Sequence, residues 1–280
     1  MRRLALLIIA IIVGFHSCKK NTEITKFNLN QIESNYILEE PTLLGDEIIL
    51  PKGTQWKFTD KDHSEVEFIL PPGFAFLLYN KATGQAKISL IGGGYSCTCS
   101  ENGSCTVFWN DEFGYGCLQN TCKGTCTGKK AKKNSNFTIE GVIYLKNDMI
   151  DINKPTNTAS LSSIGKEIFF NVTEVRNEIK RTYDFVYKHI KTPDAFTEDA
   201  LEFDRDKYIM VKTYLYGVEM ALLIPNDENI DEFFPSIQKL SSPSSCDCSS
   251  GESSGCELKT KGFFGYKVYY CNGCKTCTMH

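Results

Sequence analysis

Apolar and polar positions alternate along much of this chain. Ala86, Ile88 and Leu90 interleave with Lys87 and Ser89, the period of a half-buried strand. Phe74–Tyr79 supplies a partner across Asn80-Lys81-Ala82-Thr83-Gly84, so Phe74–Ile91 reads as a hairpin with a five-residue loop. Glu47–Leu50 and Thr54–Phe58 flank Pro51-Lys52-Gly53 and read as an earlier hairpin. Val66–Leu70 reads as a strand closed by Pro71-Pro72-Gly73. Phe137–Leu145 predicts another strand, and Tyr208–Tyr216 with Val218–Ile224 predicts a buried pair around Gly217. The period changes after the polar loop Asp151–Ser163. Val172, Val175, Ile179, Val186 and Ile190 share one face of a helix from about Thr173 to Lys191. Thr192-Pro193-Asp194 stops it, and short helices are expected up to Phe203 and over Ile230–Leu240, the second kinked or started by Pro235. The expected fold class is therefore α+β, a strand-rich body in two parts.

The first residues follow a different logic. Arg2 and Arg3 precede an unbroken apolar run, Leu4–Val13. That order is a secretory signal, and the run is shorter than the roughly 20 residues that span a bilayer. Ser17 then directly precedes Cys18. This resembles the lipobox of bacterial lipoproteins, with Phe15 and His16 in place of that family's usual Leu and small residue. The resemblance covers Met1–Cys18. It implies cleavage before Cys18 and lipid on its thiol, hence a signal peptide over 1–17, a tether over 18–44 and a membrane partner reached through the lipid. Lys19 stands where an Asp favours inner-membrane retention, which implies the outer membrane of a bacterial envelope, facing either the periplasm or the cell surface. An ordinary secreted protein with an unrelated Cys18 is the alternative.

Thirteen cysteines support export. With Cys18 set aside, twelve remain in two blocks of six. The first, Cys97, Cys99, Cys105, Cys117, Cys122 and Cys126, is spaced C-x-C-x5-C-x11-C-x4-C-x3-C. The second, Cys246, Cys248, Cys256, Cys271, Cys274 and Cys277, is spaced C-x-C-x7-C-x14-C-x2-C-x2-C. Ser100 matches Ser249, Phe113-Gly114-Tyr115 matches Phe264-Gly265-Tyr266, and Thr125-Cys126-Thr127 matches Thr276-Cys277-Thr278. Shared order with shared side residues indicates an internal duplication. An even count in Gly/Ser-rich sequence of an exported chain points to loop-rich, disulfide-stapled modules. Six cysteines allow 15 pairings. In a strand, Cys97 and Cys99 share a face and so pair with different later cysteines.

Two other chemistries use such residues. Cys271-x2-Cys274-x2-Cys277 resembles the start of a ferredoxin-type cluster run without its fourth Cys-Pro, so copper, zinc or an iron–sulfur cluster on these thiolates is the alternative to a protein with no cofactor and no metal. The spacings drift between copies, which suits disulfides better than an ion of fixed geometry. Thiol–disulfide exchange through the same C-x-x-C pairs lacks a thioredoxin-like context and stands third.

Charge narrows the partners. Without Arg2 and Arg3 the chain has 29 basic and 34 acidic residues, a formal −5, which argues against nucleic-acid binding. The Gly128–Ser135 stretch, GKKAKKNS, reads as a basic solvated linker. Glu198, Asp199, Glu202, Asp204 and Asp206 form an acidic run without EF-hand spacing. His63, His189 and His280 form no metal-spaced pair, and no nucleophile elbow, zinc-protease or phosphate-loop motif is present. Trp56 fits a core, and Trp109 fits a small exposed patch. The expected layout is a β-rich domain over 45–128 ending in the first module (97–126), a linker over 129–135 and an α+β domain over 136–280 ending in the second module (246–277). The expected role is a non-enzymatic, envelope-anchored protein that binds a ligand or another envelope protein.

Overall fold

Short runs of alternating residues, punctuated by Pro and Gly, become short strands rather than long ones. A computed structural model describes residues 36–110, 113–145, 150–189, 206–227, 230, 239–240, 245–248, 255–263, 266–273 and 277–280, all within one unit, Glu33–His280. The chain enters through β1 (Tyr36–Ile37), β2 (Thr42–Leu44) and β3 (Ile48–Leu50), then β4 (Gln55–Phe58), β5 (Glu65–Ile69), β6 (Phe74–Asn80) and β7 (Gln85–Ser89). The first cysteine block forms β8 (Gly94–Cys99), β9 (Cys105–Asn110), β10 (Gly114–Gln119) and β11 (Cys126–Lys129), followed by β12 (Thr138–Tyr144) and β13 (Ser160–Leu161). Helices α1 (Ser163–Phe169) and α2 (Thr173–His189) precede β14 (Tyr208–Leu215), β15 (Val218–Pro225) and β16 (Lys239–Leu240). The second block forms β17 (Cys246–Cys248), β18 (Glu257–Phe263), β19 (Tyr266–Asn272) and β20 (Cys277–Met279).

The α+β expectation is therefore overturned: among the described residues the fold is mostly β, with two helices against twenty strands. The reason lies in the cysteine blocks. Their Gly, Ser and Thr content reads as loop, yet the bridges hold these segments as ladders without a continuous apolar face. The expected hairpin across Pro51-Lys52-Gly53 is also absent. β3 pairs with β2, whereas β4 pairs with β1 and β5, so the turn carries the chain from one sheet to another. The hairpin of β6 and β7 and the β14–β15 pair form as the alternation predicts.

The sheet β13-β12-β6-β7 divides two cores. Ala75 and Leu77 on one face of β6 join Phe169, Phe170, Val175, Ile179 and Tyr183 of the helical region and Met220 and Leu222 of β15. Phe76 and Leu78 on the other face join Leu44, Leu50, Trp56, Phe68 and Tyr115. This is the strand alternation used on both sides. A third cluster gathers Met210, Leu223, Tyr269, Cys271 and Met279 beneath the second module. The expected short helix up to Phe203, most of the one over Ile230–Leu240, and Cys18 with its lipobox lie outside the described residues; the end of the latter helix is instead strand, Lys239–Leu240 pairing with β14.

Residues read from sequence as tether and linker carry structure. β1 and β2 begin within 36–44. In the basic stretch, Ala131 is buried, Lys132 pairs with Glu67, and Lys133 pairs with Asp60 at 3.0 Å.

Candidate functional site

The two cysteine modules have one architecture. In each, the first and last strands pair antiparallel around an inner hairpin. Cys99 lies opposite Cys126 in β8–β11, and Cys248 lies opposite Cys277 in β17–β20. Within the hairpins, Cys117 faces Val107 and Cys271 faces Leu258, each two residues beyond the third cysteine of its block. The bridges follow the same order. Cys97–Cys117, Cys99–Cys122 and Cys105–Cys126 staple the first module. Cys246–Cys271 and Cys256–Cys277 staple the second, and Cys248 is also disulfide-bonded. Cys274 lies outside the described residues. Cys97 and Cys99 thus leave one strand toward different partners.

The structure corrects one detail of the sequence match. Tyr115 and Tyr266 each open the second arm of a hairpin, but the arms differ in length. Counting back from the fourth cysteine, buried Tyr115 corresponds to Tyr269, which is also buried.

The alternative chemistries meet these bridges directly. The sulfurs of Cys99, Cys105 and Cys122 lie within 4.8 Å of one another. They belong to two adjacent disulfides, which present no thiolate to an ion. Cys271 and Cys277, from the sequence-derived metal run, are likewise each bridged. In this oxidised form neither set has the ligand chemistry that zinc, copper or a cluster requires.

A cleft of about 750 Å³ opens beside the second module. One side is lined by residues of the segment 154–161, with Lys154, Thr156 and Thr158 at its exposed rim. Asp151 exchanges backbone hydrogen bonds with Tyr214 at 2.6 and 2.8 Å, and Ala159 N–H donates to Gly217 O at 2.9 Å. On the other side Ser160 Oγ accepts from Ile49 N–H at 2.7 Å and donates to Glu47 O at 3.4 Å. Leu43 and Ile49, cross-strand neighbours on the outward face of β2–β3, supply an exposed apolar edge. Phe170, Tyr270 and Val142 supply apolar depth.

Charge in the cleft is unevenly satisfied. Glu219 is fully engaged: it accepts from Tyr214 Oη at 3.0 Å and Met279 N–H at 2.8 Å, and pairs with Lys212 at 3.0 Å. Glu47 accepts from Ser163 N–H at 3.1 Å. Lys166, in the last turn of α1, is half-buried and, among the described residues, has no carboxylate within ion-pair distance. Burial pulls its pKa below the ordinary lysine value, only partly opposed by Glu219 and Glu47 at longer range.

Helix α1 delivers Lys166 there. Ser162 caps it, with Gly165 N–H donating to Ser162 Oγ at 2.9 Å. Ser162 Oγ in turn donates to the buried carboxylate of Glu140 at 2.9 Å. Glu140 occupies the shift in register between Ile139 and Gly141 on β12, a bulge that turns a carboxylate toward the helix.

The sequence candidates sit elsewhere. Trp56 is buried and stacked on Tyr36, with ring centroids 4.4 Å apart. Trp109 is half-buried opposite Tyr115 in the first module and packs against the same core. His63 is buried against Phe58, and His280 is exposed, 3.7 Å from Asp247. The His189 side chain and the acidic run, apart from exposed Asp206, lie outside the described residues. None of the described ones lines the cleft. Sequence reading missed Lys166, Glu47, Tyr214 and Glu219, because they come from segments brought together only by the fold. The one local signal was Ser162-Ser163 ahead of Ile164, a helix start. Within the cleft Ser160 Oγ is committed to backbone groups, and the hydroxyl that meets a carboxylate is that of Tyr214, on Glu219.

Comparison with known proteins finds no matching family model, no matching curated protein and no matching solved structure.

Proposed function

We propose that this chain is an exported, lipid-anchored bacterial envelope protein that acts by binding, with two disulfide-stapled modules as its rigid frame. The observation that carries the reading is the repeated module: one strand register and one bridge order recur in two segments whose loops differ in length. A framework of this kind belongs to an oxidising compartment. The basic residues, the ten-residue apolar run and Cys18 at the start of the chain supply the route there. Lipidation of Cys18 would hold the body at the outer membrane, and the −5 charge of the remainder directs it away from nucleic acid. The partner is a ligand or an envelope protein, and the reading assigns no catalysis.

Two measurements test this. In a bacterium with an outer membrane, the full chain should incorporate labelled fatty acid and fractionate with that membrane, and Cys18→Ser should abolish both. A wild-type chain without label contradicts the lipid anchor. Separately, the exported Cys18→Ser chain, denatured with a chelator and alkylated without reductant, should take up no label on its twelve remaining cysteines. Six or more labelled cysteines contradict the stapled frame.

A further inference from the structure

Among the described residues that line the cleft over α1, Lys166 is half-buried yet its side chain has neither a hydrogen bond nor an ion pair. Lys212, which reaches the lining residue Glu219 from β14, is buried, donates to Met279 O at 2.8 Å and pairs with Glu219 at 3.0 Å. Lys166 has no such partner, although it lies deeper than a surface lysine. A cation withdrawn from water without a counter-charge in contact with it is costly. Glu219 and Glu47 act on it at longer range, while Glu219 accepts hydrogen bonds from Tyr214 and Met279 and Glu47 Oε2 accepts from Ser163 N–H. The same cleft is lined by apolar groups, exposed Leu43 and Ile49 and buried Phe170 and Tyr270. Concave, mostly apolar sites with a few convergent polar groups are the usual form of a small-molecule site.

We propose that this cleft binds a small amphipathic carboxylate, with the head group on Lys166 Nζ and the apolar body along Leu43, Ile49, Phe170 and Tyr270. This deepens the binding reading above and rests on it. The carboxylate supplies the acceptor that the fold withholds from Lys166, as a charge-assisted hydrogen bond. Thr156 and Thr158 on the exposed rim offer hydroxyls to its second oxygen. Asp46 and Glu47 face the same space. They disfavour a multiply charged anion, so the head group carries a single negative charge.

The test uses the whole chain from residue 18, with Cys18→Ser, exported and oxidised. Decanoate and its neutral counterpart decanamide are titrated by calorimetry below micellar concentrations. Decanoate should bind one to one and at least about tenfold tighter than decanamide, the factor equivalent to about 1.4 kcal/mol. Lys166→Met keeps the apolar stem and should abolish that preference while leaving decanamide affinity within about twofold. Lys154→Met, on the exposed rim, should retain the preference. Unchanged circular dichroism and intact disulfide mass establish that each variant is folded. A folded wild type that binds neither compound, or binds both equally, overturns the proposal, as does a Lys166→Met variant that still prefers decanoate. These outcomes leave the lipidation and alkylation results untouched, so this site can fail without the envelope reading failing.

Discussion

Cys99 lies directly across the β8–β11 ladder from Cys126, yet the two are not bonded to each other. Each reaches past its neighbour, Cys99 to Cys122 and Cys126 to Cys105. Three of these four sulfurs lie within 4.8 Å of one another. A free thiol at Cys99 would therefore sit beside an intact disulfide, the arrangement that thiol–disulfide exchange requires. Cys122→Ser should yield a mixture of bridges in which Cys99 captures Cys105 or Cys126. Removing the pair together, Cys99→Ser with Cys122→Ser, should leave Cys105–Cys126 intact. The double variant should lose about 3 kcal/mol, the loop-closure contribution of a bridge of this span. Peptide mapping without reductant separates the two products, and a single clean pairing in Cys122→Ser would contradict the exchange.

The register of the second module predicts a partner for Cys248. It lies opposite Cys277 as Cys99 lies opposite Cys126, and the bridges from the first and third cysteines repeat the first module's order. Second-to-fifth pairing in the first module then assigns Cys248 to Cys274. Partial acid digestion followed by mass spectrometry should recover a peptide joining those two residues. Recovery of Cys248 joined to any other cysteine would mean that the modules share strands but not bridges.

The duplication was legible in the sequence because cysteine order and neighbouring Ser and Thr survive loop changes. Its architecture was not. Segments such as Gly94–Cys99 and Glu257–Phe263 lack a sustained apolar face, so their strand character depends on the bridges and on pairing with distant strands. Tyr208–Leu215 and Val218–Pro225 were readable because their apolar residues and Gly217 sit next to one another in sequence. The turn after Leu50 misled for the opposite reason: Pro51-Lys52-Gly53 is good turn chemistry, but local chemistry cannot specify which sheet receives the next strand. The cleft was illegible for the same cause, since Lys166, Glu47 and Glu219 meet only through long-range pairing.

Acid should act on the first half through Asp60. Its Oδ1 accepts from Ser64 N–H at 2.7 Å and Glu65 N–H at 3.1 Å, and Oδ2 accepts from Ser64 Oγ and, at 3.0 Å, from Lys133 Nζ. Burial alone would raise this carboxyl, but the bonds from Ser64 and Lys133 outweigh it and hold the pKa below its ordinary 3.8. The folded state therefore binds fewer protons than the unfolded chain. The contribution is present above about pH 3.8 and is lost as pH falls through the lower folded value. Partial exposure keeps it below about 1 kcal/mol. Asp60→Asn should lower Tm at pH 6, and the gap to wild type should narrow toward pH 3. A gap that stays constant with pH would assign the effect to lost hydrogen bonding alone.

Helix α1 should tolerate no side chain at residue 165. A Cβ there would stand 2.1 Å from Glu140 O, closer than any real contact, with the bulged backbone of β12 as the obstacle. Gly165→Ala must lift the helix from that strand, at a cost of about 1–3 kcal/mol. Because α1 carries Lys166, the same change should weaken decanoate binding. Ile164→Ala, at an exposed neighbour, should shift stability by less than about 0.5 kcal/mol. Thermal melts of the two variants side by side decide this, and equal Tm values would show that α1 is free to move.

β20 is secured by a charge pair rather than by a wide ladder. Lys212 donates to Met279 O, Glu219 accepts from Met279 N–H, and the two side chains pair at 3.0 Å. Both backbone groups of Met279 are thus satisfied by side chains from β14 and β15. Met279 itself is buried against Met210, Leu223 and Tyr269. Lys212→Met leaves Glu219 ionised without its cation and Met279 O without its donor. The loss should be about 2 kcal/mol, the scale of a hydrogen bond to a charged group in a partly buried site. β20 also carries Cys277, so loosening it should expose the Cys256–Cys277 bridge. The variant should therefore lose that bridge to glutathione faster than wild type, while Cys97–Cys117 in the first module keeps its rate. Equal rates at both bridges would mean that the pair stabilises β20 without protecting its disulfide.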